Sequence, residues 1–166
     1  MRSALALFLT LLLLQALLGQ ANSALSGFHV YLFCGGLFVA YSALTLRIGA
    51  GLAASLLGGL LCDAAVPIAF GTQALLFALT HVTIYVLRRR IPRDEMAVRV
   101  LVALAANLAV YLALTFIRLR HNPAPGHAWS RLIADLGWSE TALALIAPWF
   151  FSIQARALAF AGESAS

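Results

Sequence analysis

The side chains whose chemistry stands out within the apolar stretches of this chain are Asp63 and His81. A titratable group in hydrocarbon is energetically costly, so it faces protein, water or headgroups, and it can belong to a proton or substrate path. The usual enzymatic patterns are missing from the sequence. It has no paired carboxylates, no HExxH motif and no serine–histidine–aspartate order that the arrangement of the spans would bring together. A catalytic role is therefore not expected, and neither a metal nor a cofactor is predicted.

Asp63 ends a run of small residues that recur at every fourth position, namely Gly51, Ser55, Gly59 and Asp63. Residues at this spacing share one face of a helix. Small residues on such a face let a second helix approach closely, which is what drives helix association in lipid. Pro67 is expected to stop the helix, and Gly71 opens the next apolar run. We predict a tight helix pair with Asp63 at its turn, and we take all six positions as a packing or partner-binding site.

A second set of polar residues repeats at four-residue steps, Asn107, Tyr111 and Thr115, and leads to Arg118. Gln73, Thr80 and His81 lie on one side of the predicted fourth helix, at about 72–87. One interpretation is interhelical hydrogen bonding that fixes the packing, at ~0.6–2 kcal/mol per contact. The other is a substrate or proton path through a bundle. The first is favoured, because no partner acid lies close to Asp63 or His81 in the sequence.

Arginines account for the basic character of the chain, which contains no lysine and has a formal net charge of +5. The cluster Arg88, Arg89 and Arg90 follows an apolar run, as expected of a headgroup anchor and topology signal, or alternatively of a docking site for a cytoplasmic partner. Nucleic-acid binding is not indicated.

Cys34 and Cys62 lie inside apolar runs without metal-binding or CxxC spacing, so they are interpreted as small buried hydrophobic residues.

The composition sets the fold class. Hydrophobic residues make up 63% of the 166 residues and charged residues only 10%, and the mean hydropathy is +0.94. This composition is typical of an integral membrane protein. Spans of roughly 20 residues each leave room for about six. We predict one all-α polytopic domain over 1–166, a compact bundle with spans at about 4–20, 28–46, 48–65, 72–87, 98–117 and 138–160, the last interrupted by Pro148.

The connection at 118–136 contains Pro123, Pro125 and Gly126 and is predicted to be a loop. The first apolar run, Ala4 to Leu18, fits either a signal peptide or a retained helix, and the retained helix is favoured. With the N-terminus inside, the outer segments hold only three arginines: Arg118, Arg120 and Arg131. The other eight fall on the inner side. This bias places both termini in the cytoplasm.

The run Gly58 to Asp63 followed by Gly71 resembles the core pattern of MreD, the bacterial rod-shape-determining membrane protein. That family shows a glycine-rich third helix of the form GxxxGxxxD, an eight-residue step to a glycine, and an apolar helix that ends in basic residues. The segment 147–151, Ala-Pro-Trp-Phe-Phe, with Arg156 after it, is similar to the family's last helix. The segment 22–27 lacks the family's usual proline, and the turn after Asp63 lacks the commoner Gly/Ser start.

The resemblance implies a non-enzymatic scaffold of the cell-elongation machinery in the bacterial inner membrane. Such a protein would bind an MreC-type partner and link the cytoskeleton to peptidoglycan synthesis, with self-association left open.

MreD is similar in fold to the substrate-binding subunits of energy-coupling-factor vitamin transporters. The alternative is therefore a small-molecule-binding transporter subunit, which would need a pocket lined with polar and aromatic residues at the outer side. A third alternative is a small membrane protein that shares only the helical packing.

Overall fold

A computed structural model describes residues 2–28, 30–64, 69–90, 95–119 and 128–160. Within these ranges the chain is all-helical, with six α-helices and no strand, which confirms the all-α part of the predicted fold class. The helices are α1 (Arg2–Leu25), α2 (Gly35–Thr45), α3 (Ile48–Ala64), α4 (Thr72–Leu87), α5 (Met96–Leu119) and α6 (Ala128–Phe160). A single 3-10 turn, Ser26–Phe28, follows α1.

Three stretches are long and apolar enough to cross a membrane: Phe8–Leu25, Met96–Leu119 and Arg131–Ala157. The other three helices are apolar but shorter, with 11 residues in α2, 17 in α3 and 16 in α4. At ~1.5 Å per residue α2 is only about 17 Å long, well short of a ~30 Å hydrocarbon layer. Membrane association is therefore indicated by the three long helices.

Helix α2 is the centre of the bundle. Every residue from Gly35 to Leu44 is buried, and α2 packs against α3, α4, α5 and α6. The most extensive pairing in the described structure is between α3 and α4, and the next is between α2 and α5. A helix that is apolar on all sides is expected at such a central position. The polar groups at its two ends then need partners from neighbouring helices, since water does not reach them.

The structure differs from the predicted spans at α2 and α6. The second span was predicted to start at 28, but α2 begins at Gly35 and residues 30–34 are non-helical. The predicted loop at 118–136 was too long, because α6 begins at Ala128 and α5 continues to Leu119. Helix α6 also runs through Pro148 without interruption. Residue 67, the predicted helix stop, lies outside the described residues.

Candidate functional site: buried helix ends and a cavity beside them

The Asp63 carboxylate binds the start of α4. Its Oδ1 accepts the amide hydrogen of Gln73 at 2.9 Å, and its Oδ2 accepts those of Gly71 and Ala74 at 3.0 and 3.2 Å. The first amides of a helix have no partner within the helix, and the helix dipole favours negative charge there. Asp63 is only 3% exposed. The last turn of α3 therefore supplies the cap for α4, and Gly71, at φ 95°, makes the preceding turn.

The predicted small-residue face of α3 lies against α4. A Cβ atom added at Gly59 would overlap the backbone of Ala74, and one added at Gly51 would overlap the His81 ring. The two helices are therefore in backbone contact beside the Asp63 cap. Close approach of this kind brings the carboxylate within reach of three amides, so the small residues and the acid act as one structural unit.

A buried polar cluster occupies the other end of the same seam. The Ser42 and Ser55 hydroxyl oxygens lie 2.9 Å apart, and each lies 3.1 Å from His81 Nδ1. Because Ser42 donates to the Val39 carbonyl at 2.9 Å, its oxygen is left to accept hydrogen bonds from Ser55 and from His81 Nδ1. The cluster ties α2, α3 and α4 together. His81 Nε2 is buried and has no hydrogen-bond partner among the described residues.

The Arg88 side chain binds the end of α2. Its guanidinium donates to the Ala43 and Leu46 carbonyls at 3.0 and 2.9 Å and lies 3.7 Å from the centre of the Tyr85 ring. A cation at a helix C-terminus is favoured by the dipole and by the unpaired carbonyls there. Arg88 is thus held within the fold, whereas Arg89 and Arg90 are exposed. The predicted headgroup or partner contact stays a prediction for those two.

Arg88→Ala is expected to lower the free energy of unfolding by about 1–2 kcal/mol, because two carbonyls at the end of α2 lose a charged donor. Arg89→Ala removes the same charge from an exposed position and is the matched control, with a change expected within about 0.5 kcal/mol. Thermal unfolding of the detergent-purified variants measures both. Equal shifts in melting temperature would contradict the capping role of Arg88.

Asn107 binds the other end of α2, near the middle of α5. Its Oδ1 accepts the Gly36 amide hydrogen at 3.1 Å, and its Nδ2 donates to the Phe33 carbonyl and to Glu140 Oε1 at 3.0 and 3.1 Å. A Cβ atom added at Gly36 would overlap the Asn107 backbone. Helix α2 therefore starts deep in the bundle, and one amide side chain joins α2, α5 and α6 there.

Residues 30–34, which we term the entry segment, lead from the first helix into α2 without helical hydrogen bonds. The backbone groups of Tyr31, Leu32 and Phe33 pair with side chains instead. Asp135 Oδ1 accepts the Tyr31 amide hydrogen at 3.1 Å and the Ser139 hydroxyl accepts that of Phe33 at 3.0 Å. Asn22 accepts the Leu32 amide hydrogen at 2.7 Å and donates to the Leu32 carbonyl at 3.1 Å. Non-helical backbone at membrane depth is tolerated only when it is buried in protein or lines a cavity.

A cavity of about 240 Å³ opens beside the entry segment, between α5 and α6. The nine residues that line it are Tyr31, Phe33, Tyr111, Leu114, Thr115, Arg118, Arg131, Leu132 and Asp135. The Tyr111 hydroxyl donates to the Leu132 carbonyl at 3.1 Å, which joins α5 to the first turns of α6. Tyr111, Thr115 and Asp135 are buried, whereas Arg118 and Arg131 are exposed. The lining thus combines aromatic rings, two cations and one carboxylate.

Neither protein-family models, nor curated proteins, nor solved structures give a match to this chain. Among the described residues, no group of three or more histidine, cysteine or carboxylate side chains is arranged to hold a metal ion.

The structure brings the predicted residues into two separate places. The α3 set, Gly51, Ser55, Gly59 and Asp63, lines the seam with α4. The α5 set, Asn107, Tyr111 and Thr115, is buried towards the entry segment and the cavity. The sequence pattern did not indicate Asn22, Asp135, Ser139 and Glu140, which are the partners of the entry segment and of Asn107. Asp135, Ser139, Leu143 and Ala147 are all buried at four-residue spacing. This helical period was the available signal, and the predicted loop at 118–136 separated Asp135 from it.

Proposed function

We propose that this chain is a multi-pass membrane scaffold without catalytic activity, acting in the bacterial cell-elongation machinery with an MreC-type partner. The proposal comes from the resemblance of the run Gly58 to Asp63 and of the segment 147–151 to MreD. In this proposal six segments span the inner membrane, both termini lie in the cytoplasm, and the Arg88 end of the bundle faces the cytoplasm.

The observation that best supports a structural role is the use of the buried polar side chains. Asp63 and Asn107 are engaged with the first backbone amides of α4 and α2, and Arg88 with the last carbonyls of α2. Groups that are engaged in this way stabilise one arrangement of the helices. In this proposal the entry segment completes the second span, since five residues at up to ~3.3 Å each add at most about 16 Å to α2.

An exposed apolar stripe on α6 supplies a surface for a membrane-embedded partner. Leu145, Trp149 and Ile153 recur at four-residue spacing and are 71%, 73% and 58% exposed. Within a bilayer such a stripe contacts acyl chains or the helix of another protein. This stripe agrees with the scaffold role.

Affinity purification of the tagged chain from its native membrane in mild detergent tests the proposal. We expect an MreC-type protein and cell-wall synthesis proteins to co-purify, and to be absent when an unrelated multi-pass protein is tagged at matched abundance. Their absence from the sample would contradict the scaffold role.

A second candidate function, the small-molecule-binding subunit of a transporter, is favoured by one observation. The cavity beside the entry segment has the polar and aromatic lining which that alternative requires. Recovery of paired ATPases with a transmembrane coupling subunit in the same purification would support the transporter and overturn the scaffold.

A further inference from the structure

The cavity between α5, α6 and the entry segment separates positive from negative charge along its depth. Arg118 lies in the last turn of α5 and Arg131 in the first turn of α6, so both guanidinium groups belong to the mouth. Asp135 is one helical turn further along α6, about 6 Å deeper, and is only 7% exposed. A ligand that fits this arrangement carries an anionic group at the mouth and a cationic group below it.

The Asp135 carboxylate is suited to a cation. Its Oδ1 accepts the Tyr31 amide hydrogen at 3.1 Å, and no hydrogen bond to its Oδ2 is found within the described structure. A carboxylate oxygen without a donor, on a residue that lines a cavity, favours an ammonium group, which offers three hydrogens. The aromatic rings of Tyr31, Phe33 and Tyr111 line the same cavity, and aromatic faces also attract cations.

The two arginines are suited to an oxyanion. Within the part of the chain that the structure describes, neither Arg118 nor Arg131 makes a hydrogen bond or an ion pair with another side chain. Guanidinium groups bind phosphate and carboxylate through paired hydrogen bonds. With about 240 Å³ of space, the cavity is smaller than the ~300–1,000 Å³ usual for drug-sized ligands, so a small polar group is indicated.

We propose that this cavity binds a small zwitterion, with its phosphate or carboxylate on Arg118 and Arg131 and its primary ammonium on Asp135. A phosphoethanolamine unit has this chemistry, either as the headgroup of a membrane lipid or as a free molecule. The inference uses the membrane placement proposed above but not the scaffold role. Failure of ligand binding and failure to capture an MreC-type partner are therefore separate results.

Binding measurements on the detergent-purified full chain test the proposal. Free phosphoethanolamine, phosphocholine and inorganic phosphate are titrated in one arm. In the other arm, native mass spectrometry measures retention of phosphatidylethanolamine, phosphatidylcholine and phosphatidylglycerol. The ethanolamine form is expected to bind about tenfold more tightly than the choline form in at least one arm, because three methyl groups block the hydrogen bonds to Asp135. Preference in the lipid arm alone identifies a headgroup site, and preference in the free arm identifies a soluble ligand.

Variants locate the binding within the cavity. Arg118→Gln and Arg131→Gln are each expected to weaken binding about tenfold, whereas Arg89→Gln removes an exposed arginine elsewhere and should leave binding unchanged. Asp135→Asn keeps an oxygen for the Tyr31 amide and should abolish the preference for ethanolamine over choline. Absence of binding in both arms, equal binding of the two headgroups, or binding that is insensitive to both arginine variants would overturn the proposal.

Discussion

Asp63→Leu is expected to lower the free energy of unfolding by about 3–5 kcal/mol, since three amides at the start of α4 lose their acceptor in a buried site. Leucine offers no acceptor, and water is excluded where Asp63 is 3% exposed. Helix α4 would then fray from its first turn, and the seam with α3 would open. Reversible unfolding of the purified variants in mixed micelles measures the loss of stability.

Asn107→Leu is the comparison variant for Asp63→Leu. Asn107 accepts one amide hydrogen, that of Gly36, and its other two bonds are donations. Its removal is expected to cost about 2 kcal/mol, less than the removal of Asp63. Asp63→Asn retains one oxygen acceptor and should fall between wild type and Asp63→Leu. Equal losses from the two leucine variants would refute a special role for the Asp63 cap.

Gly59→Ala is expected to cost about 3 kcal/mol or more, because its methyl group would overlap the backbone of Ala74, which cannot move like a side chain. Helices α3 and α4 would have to separate, and the Asp63 oxygens would lose contact with their amides. The prediction is a lower melting temperature together with faster proteolysis near the α3–α4 connection.

Gly49→Ala is the matched control, since it makes the same substitution on the same helix. A Cβ atom at Gly49 meets nothing within 4 Å. Alanine has the higher helix propensity, so the change should be neutral or stabilising by up to about 1 kcal/mol. If the two glycine variants had the same stability, the backbone contact between α3 and α4 would not be a determinant of the fold.

The sequence predicted well the features that depend on the spacing of residues along a single helix. The four-residue spacing of Gly51, Ser55 and Gly59 indicated a tight helix pair, and these residues do lie against α4. The spacing of Asn107, Tyr111 and Thr115 indicated a polar face, and all three are buried. The four-residue spacing indicates which residues share one face of a helix. The size of their side chains indicates how closely a second helix can approach that face.

The features that the sequence did not predict depend on long-range partners. Residues 30–34 read Val-Tyr-Leu-Phe-Cys, an apolar run that local pattern cannot distinguish from the start of a helix. Their non-helical form is stabilised by Asp135 and Ser139, more than a hundred residues away in the chain. The pairing of Arg88 with the end of α2 likewise joins residues more than forty positions apart. Such pairings follow from the tertiary fold and not from any single segment.

The dependence of α2 on distant side chains has a consequence for biosynthesis. When residues 30–45 leave the ribosome, Arg88, Asn107 and Asp135 have not yet been made, so both ends of α2 lack their partners and the entry segment has only Asn22. Unpaired backbone groups are not tolerated in hydrocarbon. In the membrane placement proposed above, we expect this segment to reach its final position only after α5 and α6 have been made. A chain that stops after α4 would lack the side chains of α5 and α6 that bind the start of α2 and the entry segment.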